Sequence, residues 1–210
     1  DFNGTIDDVA IWNRSLSPTE ILDIYRLGAG KYYWSANATD GSSTTSNGTQ
    51  EFDIVQTFEC DSCSDCNTKI QDASPGDIIY LNTSLDLSSA CINLSWNDNY
   101  IFDCDGHYIS SDDGGYDRAF YAYSGTLGGV TVRNCNLSDM GYPIELRDAS
   151  NVVLYNITSF SNTYSSSRIV IKDSSYINVT ELTCTDSDRC LDFDNVNHSI
   201  LADLTVSNTV

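Results

Sequence analysis

Five segments of this chain share one pattern at a nearly fixed interval, and a chain that repeats in this way has few ways to fold. The segments are NYIFDCDG, GVTVRNCN, NVVLYNIT, YINVTELT and HSILADLT. They align on Phe102, Val132, Leu154, Val179 and Leu201, at successive spacings of 30, 22, 25 and 22. Between them lie short apolar strands, RAFYAYS, YPIELRD, SRIVIKD and RCLDFDN, which align through Ile144/Leu146, Ile169/Ile171 and Leu191/Phe193. Each unit therefore reads as strand, turn, strand and polar loop, with no helical segment. A unit of this size cannot close a core alone. Stacked, each coil lays its strands parallel on those of the next, about 4.8 Å away, and the inward Val, Ile, Leu and Phe form continuous columns. The fold expected is all-β, a parallel β-helix. A leucine-rich horseshoe, the main competing solenoid, needs a denser Leu pattern.

Two residues beyond the aligned apolar position the column reads Cys104, Asn134, Asn156, Glu181 and Asp203. Small polar residues recurring at one turn predict a stacked ladder. Asn tolerates left-handed backbone, and its amide can pair along the stack.

Charge and cysteines limit the setting. Thirty acidic residues against ten basic ones give a formal charge of −20. That excludes nucleic acid as a partner, since phosphates need cations. It suits divalent cations, salt or simple solubility. No run of about 18 apolar residues exists, so no direct membrane span is expected. Eight Cys, an even number, fit a disulfide framework. Asn-x-Ser/Thr occurs at Asn3, Asn13, Asn37, Asn47, Asn82, Asn93, Asn136, Asn156, Asn178 and Asn197. That is 10 of 18 asparagines, where composition alone gives about four. These features predict an extracellular, N-glycosylated, surface-displayed protein.

The first 54 residues do not repeat. In DFNGTIDDVAIWNRSLSPTEIL, Ile6, Val9 and Ile11 follow an Asn3-Gly4 turn signal as a half-buried strand. Ser17 then reads as an N-cap, with Pro18 at the first helical position and Glu20 completing a capping box. Ile21, Leu22, Ile24 and Tyr25 supply the apolar face of this short helix, and Gly28 stops it. Residues 31–54 read as a hairpin with a long polar loop, and a two-stranded hairpin does not stand alone in water.

Residues 60–210 resemble the right-handed parallel β-helix repeat proteins of archaeal and bacterial surfaces. The resemblance is carried by ASPGDIIYLNTSL, CINLSWNDNYIFDCDGHYI and GVTVRNCNLSD. Ile78, Tyr80 and Leu81 match that family's initial strand. Asp103, Cys104, Gly106, His107 and Ile109 match its first coil. The opening 22 residues resemble the last strand and closing helix of a laminin-G-like, concanavalin-type module, and residues 31–54 the final strands of an immunoglobulin-like one. The implied layout is 1–30 laminin-G-like, 31–55 immunoglobulin-like and 56–210 β-helix. Both N-terminal pieces are then orphans. Either the chain is a portion of a longer multidomain protein, or residues 1–54 complete folds in a neighbouring subunit.

Candidate chemistry is sparse. Cys60, Cys63 and Cys66 at x2 spacing, with Cys91, could ligate zinc. The alternative is disulfides clamping the start of the β-helix, and an oxidising setting favours it. With Cys104, Cys135, Cys184 and Cys190 all eight can pair. Two pairs have a physical basis: Cys184–Cys190 across a short loop, and Cys91–Cys104 between neighbouring strands. Two acidic loops offer calcium ligands, Asp112, Asp113 and Asp117 in one and Asp186 and Asp188 in the other; solvated turn carboxylates are the alternative. No cofactor is required by any motif, and calcium is the ion these loops suit. Asp192 and Asp194 share a strand face and could pair as acids for glycan cleavage. Arg118, Arg147, Arg168 and Arg189 are the arginines available to a lyase. His107 reads as structural. Tyr116, Phe120, Tyr121 and Tyr123, near Trp96 and Tyr100, either stack on sugars or fill the core. No catalytic constellation emerges. The expectation is a structural or adhesive surface protein that self-associates or adjoins modules of a longer chain, with surface glycans as further partners. The runner-up is a carbohydrate-binding or carbohydrate-cleaving β-helix.

Overall fold

The structure, a computed structural model, describes residues 15, 30–34, 37–39, 44–46, 50–111, 117–123, 127–160, 168–186 and 189–207, the backbone alone up to residue 54. The strand expected near residues 6–12 and the helix expected from Ser17 lie outside them.

Parallel strands stack into a β-helix of about six turns. Its cross-section has three faces. The first stacks Thr57–Cys60, Ile78–Leu81, Ile101–Asp103 and the leading halves of Val130–Ser138, Val152–Phe160, Asn178–Thr185 and Ile200–Ser207. The second stacks Leu85–Leu87, Tyr108–Ser111 and the trailing halves of those long strands. The third stacks Ile92–Asn93, Phe120–Tyr123, Ile144–Arg147, Ile169–Lys172 and Leu191–Asp194. The repeat predicted the register: Phe102, Val132, Leu154, Val179 and Leu201 lie directly opposite one another, as do Leu146, Ile171 and Phe193. The first four of that column, with Ile79 beneath, are sealed from solvent. Across the interior Phe102 meets Phe120 edge-on, their ring centres 5.3 Å apart.

The corners explain why strands this short turn so regularly. Asn134, Asn156, Glu181 and Asp203 all have φ between 51° and 56°, and each splits a long strand between the first and second faces. Asp148, Asp173 and Asn195 repeat this at a second corner. Asn99, Gly129, Asn151, Tyr176 and His198 do so at a third. Eleven of the fourteen non-glycine residues with positive φ among those described are Asn or Asp, the side chains that visit this region at least cost. In the initial coil, both Asp103 carboxylate oxygens are engaged. Oδ1 accepts from Asp105 N–H at 2.9 Å and from Asn134 Nδ2 at 2.9 Å, and Oδ2 accepts from Arg133 Nε at 2.6 Å. Buried Asp77 accepts from the backbone N–H groups of Gln56 and Ser74, tying the first two rungs together.

One element contradicts the expectation of units without helix. Helix α1, Cys63–Asp72, follows the first strand. Ser62 caps it, accepting from Asp65 N–H, and Cys66 and Ile70, four apart on one face, are fully buried. The Cys-x-x-Cys-x-x-Cys spacing is thus also a helical spacing. Disulfide bonds join Cys60 to Cys66 and Cys63 to Cys91, so α1 is bolted across the start of the column. These bonds overturn the zinc reading, because all four thiols are consumed. Cys184–Cys190 pairs as expected. The expected Cys91–Cys104 pair is wrong. Cys91 leads into the third face, whereas Cys104 stands at the corner after the first, one rung below its actual partner Cys135.

Residues 30–54 form an antiparallel ladder, Gly30–Trp34 with Gln50–Ile54, and a shorter one of Asn37–Thr39 with Thr44–Ser46. The hairpin is therefore present, with the paired strand Thr44–Ser46 inside the stretch expected as a polar loop.

Candidate functional site

Polar chemistry concentrates on the outer side of the third face. Alternation along its strands turns Phe120, Ile144, Ile169 and Leu191 inward, which leaves Tyr121, Glu145, Val170 and Asp192 in one outer row. Tyr123, Arg147, Lys172 and Asp194 form the next row. Four of the ten Lys and Arg residues, Arg118, Arg147, Arg168 and Lys172, sit on this face.

Glu145 is the centre. Its side chain is only 3% exposed. Its Oε1 accepts from Arg147 Nε at 2.8 Å and Nη2 at 2.6 Å. Its Oε2 accepts from the Tyr123 hydroxyl at 2.5 Å and from Arg118 Nε. Burial alone would raise the carboxyl's pKa. The hydrogen bonds from Tyr123, Arg118 and Arg147 outweigh that and hold it below the ordinary glutamate value. The same contacts act in reverse on Tyr123, whose phenol is pushed up to about 12 by burial and by its bond to Glu145. The Tyr142 ring lies between two guanidinium groups, 5.5 Å from Arg118 and 5.7 Å from Arg168. Arg168 Nε lies 2.9 Å from Asp192 Oδ2, an ion-pair distance without hydrogen-bond alignment. Lys172 Nζ lies 3.6 Å from Asp194.

This arrangement binds better than it catalyses. Glu145 and Asp192 stand two rungs apart, about 9.6 Å along the stack, near the upper separation of an inverting acid pair. A general acid needs a raised pKa, and that of Glu145 is lowered. Asp192 and Asp194 do share the outer face, as expected from their spacing, but each faces a cation on the rung below. Glu145 and Tyr142 were missed in the sequence. The available signal was an acid between inward Ile144 and Leu146, in the same row as Tyr121.

The other candidates are dispersed. Asp112, Asp113, Asp188 and Tyr116 lie outside the described residues. Asp117 accepts from Ser111 Oγ at 2.7 Å. Asp186 occupies a left-handed corner, its N–H bonded to Ser207 O. No group of three His, Cys, Asp or Glu suited to a metal occurs among the described residues. Tyr100 and Phe120 are core residues; burial and then the Asp98 charge raise the Tyr100 pKa, and its hydroxyl donates to Leu94 O. Trp96 is exposed. His107 lies in a turn closed by its own N–H to Cys104 O. Of the glycosylation candidates, Asn3, Asn13 and Asn47 lie outside the described residues and Asn37 sits in the short ladder. Asn82, Asn156 and Asn197 are exposed, and Asn93, Asn136 and Asn178 half-buried. Asn136 donates to Gly106 O and Asn156 to Asn134.

At the start of the column, α1 and two disulfides cover the core. On the last described strand, Leu201, Leu204 and Val206 occupy the inward positions and are 45%, 41% and 60% exposed. Their counterparts one rung below, Val179, Leu182 and Cys184, are at most 1% exposed.

No protein-family model and no curated protein matches the chain. A solved structure similar to it is that of a provisionally assigned glycosyl hydrolase from Parabacteroides merdae ATCC 43184. The identity is 10%, with 62% of this chain and 81% of that chain covered at a TM-score of 0.37. So distant a likeness carries no functional argument. Among the described residues no helix is long and apolar enough to cross a membrane, and four disulfides fit an extracellular protein.

Proposed function

We propose that this chain is an extracellular structural and adhesive unit, a rigid β-helix within an adhesin, envelope layer or filament, which self-associates through its ends and residues 1–54. One observation supports the reading: parallel strands stack over about six turns and four disulfides brace the column, a rigid build. Sedimentation velocity of the oxidised chain from micromolar to millimolar concentration tests this, in about 0.5 M salt so that like charges are screened. Concentration-dependent multimers are expected; a monomer throughout overturns it.

The third face favours a second reading, binding of surface glycans. Tyr121 and Tyr123 offer stacking surfaces, and Arg147, which is exposed, offers donors. Titration calorimetry against neutral and uronate-containing oligosaccharides tests it, with loss of the heat signal expected for Tyr121→Ala. Cleavage is not proposed, because the acids of this face are ion-paired. Calcium at Asp112, Asp113 and Asp117, or at Asp186 and Asp188, would accompany either role and would raise the melting temperature on calcium addition.

A further inference from the structure

Charge decides which class of glycan the third face can take. Its four cations are all matched at close range: Arg118 and Arg147 by Glu145, Arg168 by Asp192 and Lys172 by Asp194. Two further acids, Asp148 and Asp173, directly follow Arg147 and Lys172 at an exposed left-handed corner. The face and its corner therefore hold Glu145, Asp148, Asp173, Asp192 and Asp194 against those four cations, on a chain of formal charge −20. An oxyanion arriving there meets no unmatched positive charge and is repelled by the chain as a whole.

We infer that the ligand of this face is a neutral glycan, its rings laid on Tyr121 and Tyr123 and its hydroxyls bonded to Arg147. The inference rests on the glycan-binding reading above and names the ligand class. Two observations join the charge argument. First, the stacking platform is double. Tyr121 and Tyr123 stand two apart on one strand, both outward, with ring centres 5.5 Å apart and planes tilted by 39°. The C–H face of a sugar ring packs on such rings without any charge on the sugar. Second, the donors are spare and fixed in place. Arg147 spends two of its five N–H groups, one on Nε and one on Nη2, on Glu145 Oε1, which leaves three. Glu145 is buried, so its grip holds the exposed guanidinium in one pose. The Tyr123 hydroxyl donates to the same carboxylate, which fixes that ring as well. Glu145 is thus a positioning residue for both a stacking surface and a donor. An arginine whose charge is answered from below keeps its N–H groups for neutral oxygens, and a sugar hydroxyl accepts them without adding a charge.

Titration calorimetry of the oxidised chain tests it, at ~0.05 M and ~0.5 M salt. The probes are glucan, mannan and galactan hexamers and, against them, glucuronate, mannuronate and galacturonate hexamers. At least one neutral hexamer should bind, with an affinity that salt leaves unchanged, and its uronate counterpart should bind more weakly. Tyr121→Ala should lose the signal. Arg147→Gln should weaken it about tenfold, the loss of a charged donor, with the far-ultraviolet circular dichroism of both variants unchanged. Uronate hexamers that bind as tightly or more tightly, with affinity falling as salt rises, would overturn the neutral class while leaving glycan binding standing. Full affinity in Arg147→Gln would overturn the donor assignment. A chain that binds none of the six would overturn the glycan reading and this inference together.

Discussion

Asn156 Nδ2 donates to Asn134 Oδ1 at 2.8 Å, although the two residues are 22 apart in sequence. Asn134 in turn donates to Asp103 Oδ1 one rung below, at 2.9 Å. Both asparagines hold left-handed backbone, with φ of 51° and 56°. One side chain therefore does two things: it permits the corner, and it ties successive corners together. A second ladder repeats the device, with Asn195 Nδ2 on Asp173 Oδ1 at 2.8 Å.

Asn134→Ala separates these contributions. The variant loses two hydrogen bonds, each about 1 kcal/mol net, and puts in left-handed backbone a residue that tolerates it less well than asparagine, at about 1 kcal/mol more. Asn134→Gly loses the bonds and keeps the corner. Urea unfolding should rank wild type above Asn134→Gly, and Asn134→Gly above Asn134→Ala by about 1 kcal/mol. Equal stability of the two variants would show that the corner is not under conformational demand.

The Glu145 cluster makes stability pH-dependent in a definite direction. Its folded pKa is depressed, so the stabilisation is complete above the unfolded value of about 4.3 and is lost as pH falls through the folded one. Glu145→Gln should remove this component of the acid transition and lower stability at pH 7. In the wild type, ultraviolet titration should show one tyrosine ionising near pH 12, and Tyr123→Phe should abolish that step. In Glu145→Gln the step should move back toward 10.

The disulfides close loops of very different length. Cys63–Cys91 spans 28 residues and Cys184–Cys190 only 6. Loop-closure entropy assigns the first about 3.6 kcal/mol and the second about 2.2. Replacing both cysteines of a pair by Ala should therefore cost more for Cys63–Cys91. That variant should also free α1, seen as faster amide exchange across Cys66–Ile70.

Much of this fold was legible because a stack writes itself into the sequence as a period. Phe102, Val132, Leu154, Val179 and Leu201 were found by alignment alone, and Asn134 and Asn156 by their column. What escaped was whatever does not repeat. Helix α1 occurs once, and its cysteines were read for bonding rather than for helical spacing. Cys91–Cys104 failed because pairing depends on which face a residue leads into, and the corner between them is invisible until the coil is closed. Glu145 escaped because its partners come from separate rungs, Arg118 and Tyr123 from the one before its own.

Burial makes a last prediction, a gradient of mutational cost along the first and second faces. Leu154 is surrounded on all sides by neighbouring rungs and fully buried. Leu154→Ala should cost about 2–5 kcal/mol, the range for a cavity in a packed core. Leu204 has the same orientation but is 41% exposed, since no described strand lies above it. In dilute monomer Leu204→Ala should cost under about 1 kcal/mol, because there is little enclosed volume to empty. Amide exchange should mirror this, slowest at Val132 and Leu154 and fastest over Ile200–Ser207 in the monomer. A Leu204→Ala chain as destabilised as Leu154→Ala in dilute monomer would mean that enclosed volume does not set the cost.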